Sequence, residues 1–235
     1  EVPIIENNLD LLDNPDVTQK HTVKSIWRFI TREMRAVAED LPAEPIQVGR
    51  LSKWSAEGML ARFYLTRAGV ESTGPGARNQ VFLDSAKYYA QRVITNSGRA
   101  LLSDYASLFK YPYDNNAESL FELQWVALNG DAGYGVGNSA PSYLNYSPDI
   151  SVEGWGGDKA ATWWMLSQYE GITASGDTML QGRTLDQRLK STFMLPGANY
   201  PEITQRLNGV NQKLVFPYVN GDVNFASIKK YVVGK

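Results

Sequence analysis

The chain has no cysteine and a single histidine, His21, in 235 residues. The first absence excludes disulfides, thiolate metal sites and a cysteine nucleophile within the chain. The second leaves a Ser-His-Asp triad or a histidine-rich metal centre only one residue to draw on. Metal binding is confined to oxygen ligands, and no segment carries the spacing of a calcium loop. No charge of one sign prevails, since 23 Lys and Arg against 25 Asp and Glu leave a net charge of −2. A strongly basic footprint for nucleic acid or an anionic membrane is therefore missing. No apolar run approaches the roughly 20 residues that a spanning helix needs. Glu1 opens the chain without a methionine or a leader pattern, which reads as a processed or truncated product.

What is plentiful is aromatic. There are 6 Trp, 13 Tyr and 8 Phe, and the excess of Trp and Tyr over Phe suits binding surfaces that need a ring with a polar handle. The first part, residues 1–110, reads as helices. Asn14-Pro15-Asp16 has the form of a helix start, and from there Val23, Trp27, Ile30, Met34, Val37 and Leu41 trace one apolar stripe up to Pro42. Ser52 is the expected cap of a second helix. Its stripe is Trp54, Gly58, Ala61, Leu65 and Ala68, with Leu60, Phe63 and Tyr64 on another flank and Gly69 as the expected end. A third helix carries Phe82, Ala86, Tyr89, Ala90 and Val93 and stops at Gly98. Small residues facing large aromatics predict closely packed antiparallel pairs of the tetratricopeptide kind.

The second part, residues 111–235, is expected to be helix-poor, loop-rich and ligand-facing, with short strands. "YPYDNNAESLFELQW" alternates like a strand, with Leu120, Leu123 and Trp125 among polar residues. A short helix is predicted from Asp158 to about Tyr169, and "LVFPYV" and "KKYVV" read as extended pieces.

Few residues suggest chemistry. His21 reads as solvated, in the first turns of a helix. Gly133, Gly135 and Gly137 match neither a dinucleotide nor a phosphate loop and read as loop glycines, so no cofactor is implied. Ser227 and Lys230 have S-x-x-K spacing without its companion motifs, a chance match. Glu118 and Glu122 are four apart on one face of the expected strand and could form a hydrolase pair, or simply a solvated face. Asp186 and Arg188 read as a structural charge pair that fixes a loop.

Trp155 stands apart. In "SVEGWGGDKAATWWM" it lies between Gly154 and Gly156, where a loose backbone offers a ring little to pack against. The apolar C–H face of a sugar stacks on such a ring. A ring closing over the core from a loop is the competing reading. Trp163 and Trp164 are about 100° apart on a helix, so one at most is expected to be exposed. Trp125, Tyr134 and Trp163 join Trp155 as candidate glycan-binding residues, and no catalytic or metal-binding residue is assigned.

The segments "LPAEPIQVGRLSKWSAEGMLARFYLTRAG", "AKYYAQRVITNSG", "YASLFKYPYDNNAESLFELQW", "GWGGDKAATWWMLSQYE", "LDQRLKSTF" and "KKYVVGK" resemble, in this order, those of the SusD/RagB family. The resemblance spans nearly the whole chain. It implies a mostly α-helical fold of tetratricopeptide-like pairs with a loop-rich sugar site. It also implies non-enzymatic oligosaccharide binding at the outer-membrane surface, for delivery to a SusC-like TonB-dependent transporter. Family members are about twice as long and carry a lipid anchor on an N-terminal cysteine. The resemblance thus implies a middle to C-terminal portion, with the anchor outside this chain. A glycoside hydrolase using Glu118 and Glu122, or a peptide-binding helical scaffold, are the alternatives.

Overall fold

The structure, a computed structural model, describes residues 1–110, 113–124, 161–175, 179–182, 184–194, 199–207, 209–215 and 228–230. The chain divides into two compact units, residues 1–101 with 117–123, and residues 102–116 with 124–235.

The first unit is helical. A single turn, α1 (Asp10–Asp13), is followed by the 3₁₀ turn Pro15–Thr18 and by α2 (Val23–Asp40), α3 (Lys53–Val70) and α4 (Gln80–Asn96). The start signal at Asn14-Pro15 opens the 3₁₀ turn and not the long helix, contrary to expectation. Asn14 accepts the Asp16 amide at 3.1 Å, but Gln19 then turns extended at φ −63° and ψ 139°. The helix begins anew at Val23 under Thr22, whose hydroxyl accepts the Ser25 amide at 3.2 Å. His21 therefore precedes the helix. It is exposed, and its amide donates to the Val2 carbonyl at 3.0 Å. Pro42 ends α2 as predicted, because the residue before a proline is pushed out of the helical region, here Leu41 at φ −74° and ψ 140°.

Ser52 caps α3 in a reciprocal capping box with Ser55, which satisfies two otherwise orphaned donors. The buried face of α3 is Ala56, Leu60, Tyr64 and Ala68, so the stripe runs through the expected second flank. Leu65, expected inside, is 59% exposed. Gly69 lies within the helix, and Glu71 is the C-cap. α3 and α4 form an antiparallel, tetratricopeptide-like pair. Tyr64 stacks on Tyr89 (centroids 5.7 Å, planes 2° apart) and on Phe82, over a core with Ala38, Ala56, Leu60 and Ala86. Alanine opposite tyrosine lets the helices approach while the rings fill the space left. Burial and the neighbouring Tyr64 push the Tyr89 hydroxyl pKa up.

Two buried charges lie between the helices. Glu57, 2% exposed, accepts a forked pair of bonds from Arg92 at 2.8 and 2.9 Å, which holds the guanidinium protonated above its usual pKa. Arg67 pairs with Glu71, donates to Thr31 Oγ1 at 3.0 Å and lies 4.1 Å over the Phe82 ring.

The segment 117–123 packs on α3 and is irregular where a strand was expected. Local alternation loses to two specific contacts. Ser55 Oγ donates to the Leu120 carbonyl, which removes that group from any ladder, and the Leu120 side chain fills a notch at Gly58. A Cβ at Gly58 would stand 2.8 Å from Leu120 Cδ1, so any side chain there would make the tip of Leu120 shift.

The second unit holds the 3₁₀ turn Tyr105–Phe109, α5 (Trp163–Ser167), β1 (Ile172–Ser175), β2 (Met179–Gly182), α6 (Arg188–Thr192), β3 (Asn199–Leu207) and β4 (Val210–Val215). β1 and β2 form an antiparallel pair, Ile172 opposite Gly182 through Ser175 opposite Met179. β3 and β4 form another, closed by Gly209 at φ +81°. Its register shifts between Tyr200 and Thr204, a stretch that contains Pro201, which has no amide to give to a ladder. Ala161, Leu166, Ile172, Leu189 and Phe193 form the core of this unit, with Tyr169 and Ile228 packed against it. Beside it, buried Tyr200 donates its hydroxyl to the Phe193 carbonyl at 2.9 Å.

Candidate functional site

The aromatic stretch that the sequence singles out ends in α5. This helix begins at Trp163 and is capped by Thr162, whose hydroxyl accepts the Met165 amide at 3.2 Å. The expected start at Asp158 is thus corrected to Thr162, and Asp158 itself lies outside the described residues. Leu166 is fully buried against Ala161 and Ile172 and anchors the helix from behind. The Trp164 carbonyl accepts from Ser167 Oγ at 2.8 Å and from Gln168 Nε2 at 3.2 Å, which closes the C-terminal end. Those bonds tie down the Met165 amide and the Trp164 carbonyl of a helix too short to persist unaided.

Of the four aromatics assigned to glycan binding, Trp125, Tyr134 and Trp155 lie outside the described residues. Trp163 is the first residue of α5, described through its backbone alone. Trp164, absent from that assignment, has its side chain 70% exposed. The sequence carries a signal for it: Leu166 and Trp164 are two apart, about 200° around a helix, so burial of one turns the other outward.

The other candidates have simpler fates. Asp186 and Arg188 do form a structural pair at the start of α6. Arg188 donates through Nε at 2.9 Å and through its own amide at 2.9 Å, and these bonds hold the Asp186 carboxyl down at a pKa of about 2. Glu118 and Glu122 are half-buried in the irregular segment, and the same-face argument lapses with the strand on which it stood. Gly133, Gly135, Gly137 and Ser227 lie outside the described residues. Among the described residues, no group of three or more His, Asp or Glu could hold a metal ion, and no helix is long and apolar enough to cross a membrane.

No family model matches the chain. A SusD-like protein from Bacteroides ovatus is 33% identical over 214 residues, which is 90% of this chain and 36% of that protein. One crystal structure superposes with a TM-score of 0.75 at 30% identity, covering 99% of this chain and 41% of its own. Another, determined with a xylogluco-oligosaccharide, superposes with a TM-score of 0.70 at 29% identity, covering 99% and 42%. The chain thus spans a little over a third of its curated relative. Identity at this level along nearly the whole chain, with the same helical architecture, makes the chain similar to a portion of a SusD-like protein.

Proposed function

We propose that this chain is the glycan-contacting portion of a protein that binds oligosaccharides without cleaving them. The observation that carries the reading is the structural likeness, along 99% of this chain, to a protein crystallised with a xylogluco-oligosaccharide. Residues 1–110 serve as the helical scaffold and residues 111–235 face the ligand. Trp155 is the stacking ring, and Trp125, Tyr134 and Trp163 are further contacts. The family setting adds delivery to a SusC-like TonB-dependent transporter at the outer-membrane surface, with a lipid anchor supplied outside this chain. The hydrolase reading has lost its geometric premise at Glu118 and Glu122.

Titration calorimetry of the chain with xylogluco-oligosaccharides, alongside a reducing-end assay, tests both parts. Saturable binding without release of reducing ends is the expected result. Steady release that disappears in Glu118→Gln or Glu122→Gln would replace this reading with the enzymatic one.

A further inference from the structure

We infer that Trp164 is a second stacking platform, which takes one pyranose ring of a β-linked glucose-type oligosaccharide. The inference rests on the glycan-binding reading above and adds a residue to it.

The argument starts from how the described tryptophans are used. Trp54 is 8% exposed, and Trp27 meets Phe63 edge-on with centroids 6.0 Å apart. Trp164 alone among them leaves 70% of its surface to solvent. Tryptophan carries the largest apolar surface of any side chain, and folding normally uses it. Nor is the exposure that of a loose segment. Leu166 is locked in the core two residues on, Thr162 caps the helix, and Ser167 and Gln168 bond the Trp164 carbonyl. The backbone that bears the ring is thus fixed before any ligand arrives, which lowers the entropy lost on binding.

The surroundings select the ligand. Thr162, Ser167, Gln168 and Glu170 are all exposed along the same short stretch of chain, and Met165 on α5 is 37% exposed. Among the described residues of this stretch, the indole thus shares its surface with hydroxyl, amide and carboxylate groups. It falls far short of the roughly 800 Å² per partner of a standard protein interface. It matches a pyranose ring with equatorial hydroxyls, whose axial C–H bonds make an apolar face while its rim hydrogen-bonds to amides and carboxylates.

The test is calorimetric titration of the full chain with xylogluco-oligosaccharides and with cello-oligosaccharides, for wild type, Trp164→Ala, Trp164→Phe and Trp155→Ala. Wild type should bind. Trp164→Ala should lose about ten- to hundredfold in affinity, in line with the loss of a base from an aromatic platform, and Trp164→Phe should recover most of it. The melting temperature should hardly move in either Trp164 variant, since an exposed ring adds little to the core. Wild-type binding retained in full by Trp164→Ala would overturn this inference and leave the glycan-binding reading standing. A wild type that binds neither sugar would overturn both. A Trp164→Ala chain that melts well below wild type, unrescued by Phe, would mark the ring as a packing residue and also sink the inference.

Discussion

In the helical unit Trp54 is buried and Trp27 packs against Phe63, whereas in the helix-poor unit Trp164 stands out in solvent. Helix length accounts for much of the difference. α3 offers five turns to α2 and α4, so its rings meet partners on more than one side and are consumed by packing. α5 is little more than one turn and can bury a single face, the one with Leu166. A long helix therefore spends its aromatic residues on stability, and a short capped one can present them. Charges follow the same division: Glu57 is enclosed between helices under a half-buried Arg92, while Asp186–Arg188 is a local pair near the surface.

The largest effect expected from this contrast is in the helical core. Leu60 is fully buried among Ala56, Tyr64 and Ala86, so Leu60→Ala removes apolar contact and leaves a cavity that rigid stacked rings cannot close. A loss of about 3–4 kcal/mol in urea unfolding is expected. A loss below about 1 kcal/mol would mean that the helical core is loosely packed and collapses into the space left.

Glu57→Gln comes next. It leaves the Arg92 guanidinium facing a neutral amide across a helix interface, at an expected cost of about 2 kcal/mol. Replacing both residues, as Glu57→Leu with Arg92→Met, should restore much of that loss, because two matched apolar groups avoid the unpaired charge. A double variant worse than the single would show that the ion pair holds the register.

How much of this was legible in the sequence follows from what each feature depends on. Ser52, Pro42 and Gly98 act through local backbone chemistry, and the ends that they mark were readable. The α3–α4 pairing was readable too, since Ala opposite Tyr leaves its trace in the pattern. Leu65 was misplaced because two apolar flanks share α3, and only the partner helices decide which is covered. The strand expected around Leu120 fails because its register is set by Ser55 and Gly58, some 60 residues away and invisible to local alternation. β3 was missed since Pro201 masks its period. At the site, Trp155 and its flanking glycines lie outside the described residues, and Trp164 emerged only once Leu166 was seen to be the anchor.

Trp155→Ala sharpens the comparison on the functional side. If aromatic residues of the helix-poor unit serve ligands, this variant should lose about 1–3 kcal/mol of glycan affinity, roughly ten- to hundredfold. Its unfolding free energy should change by less than about 0.5 kcal/mol, unlike Leu60→Ala. Calorimetry and urea denaturation on the same preparation separate the two quantities. A large stability loss with unchanged affinity would assign Trp155 to the core.

The smallest effect belongs to the surface pair, and it should show itself through pH. Asp186 has its carboxyl pKa lowered to about 2, first by the Arg188 guanidinium and then by the Arg188 amide. A free aspartate titrates near 3.9, so the folded state favours the ionised form. The resulting stabilisation is fully present above about pH 5 and is lost as the pH falls through about 2, below which folded and unfolded forms are both protonated. Asp104, also lowered, by the Ala106 amide foremost, titrates in the same direction. Comparing wild type with Asp186→Asn removes that background. The difference in urea midpoint should be flat from pH 7 to about 5, shrink between pH 4 and 2, and diminish in high salt because the pair is open to solvent. At neutral pH it should stay well below the effect of Glu57→Gln, whose carboxylate is enclosed. A difference that persists unchanged at pH 2 would mean that Asp186 works through its neutral hydrogen bonds. An effect as large as that of Glu57→Gln would erase the distinction between an enclosed pair and an open one.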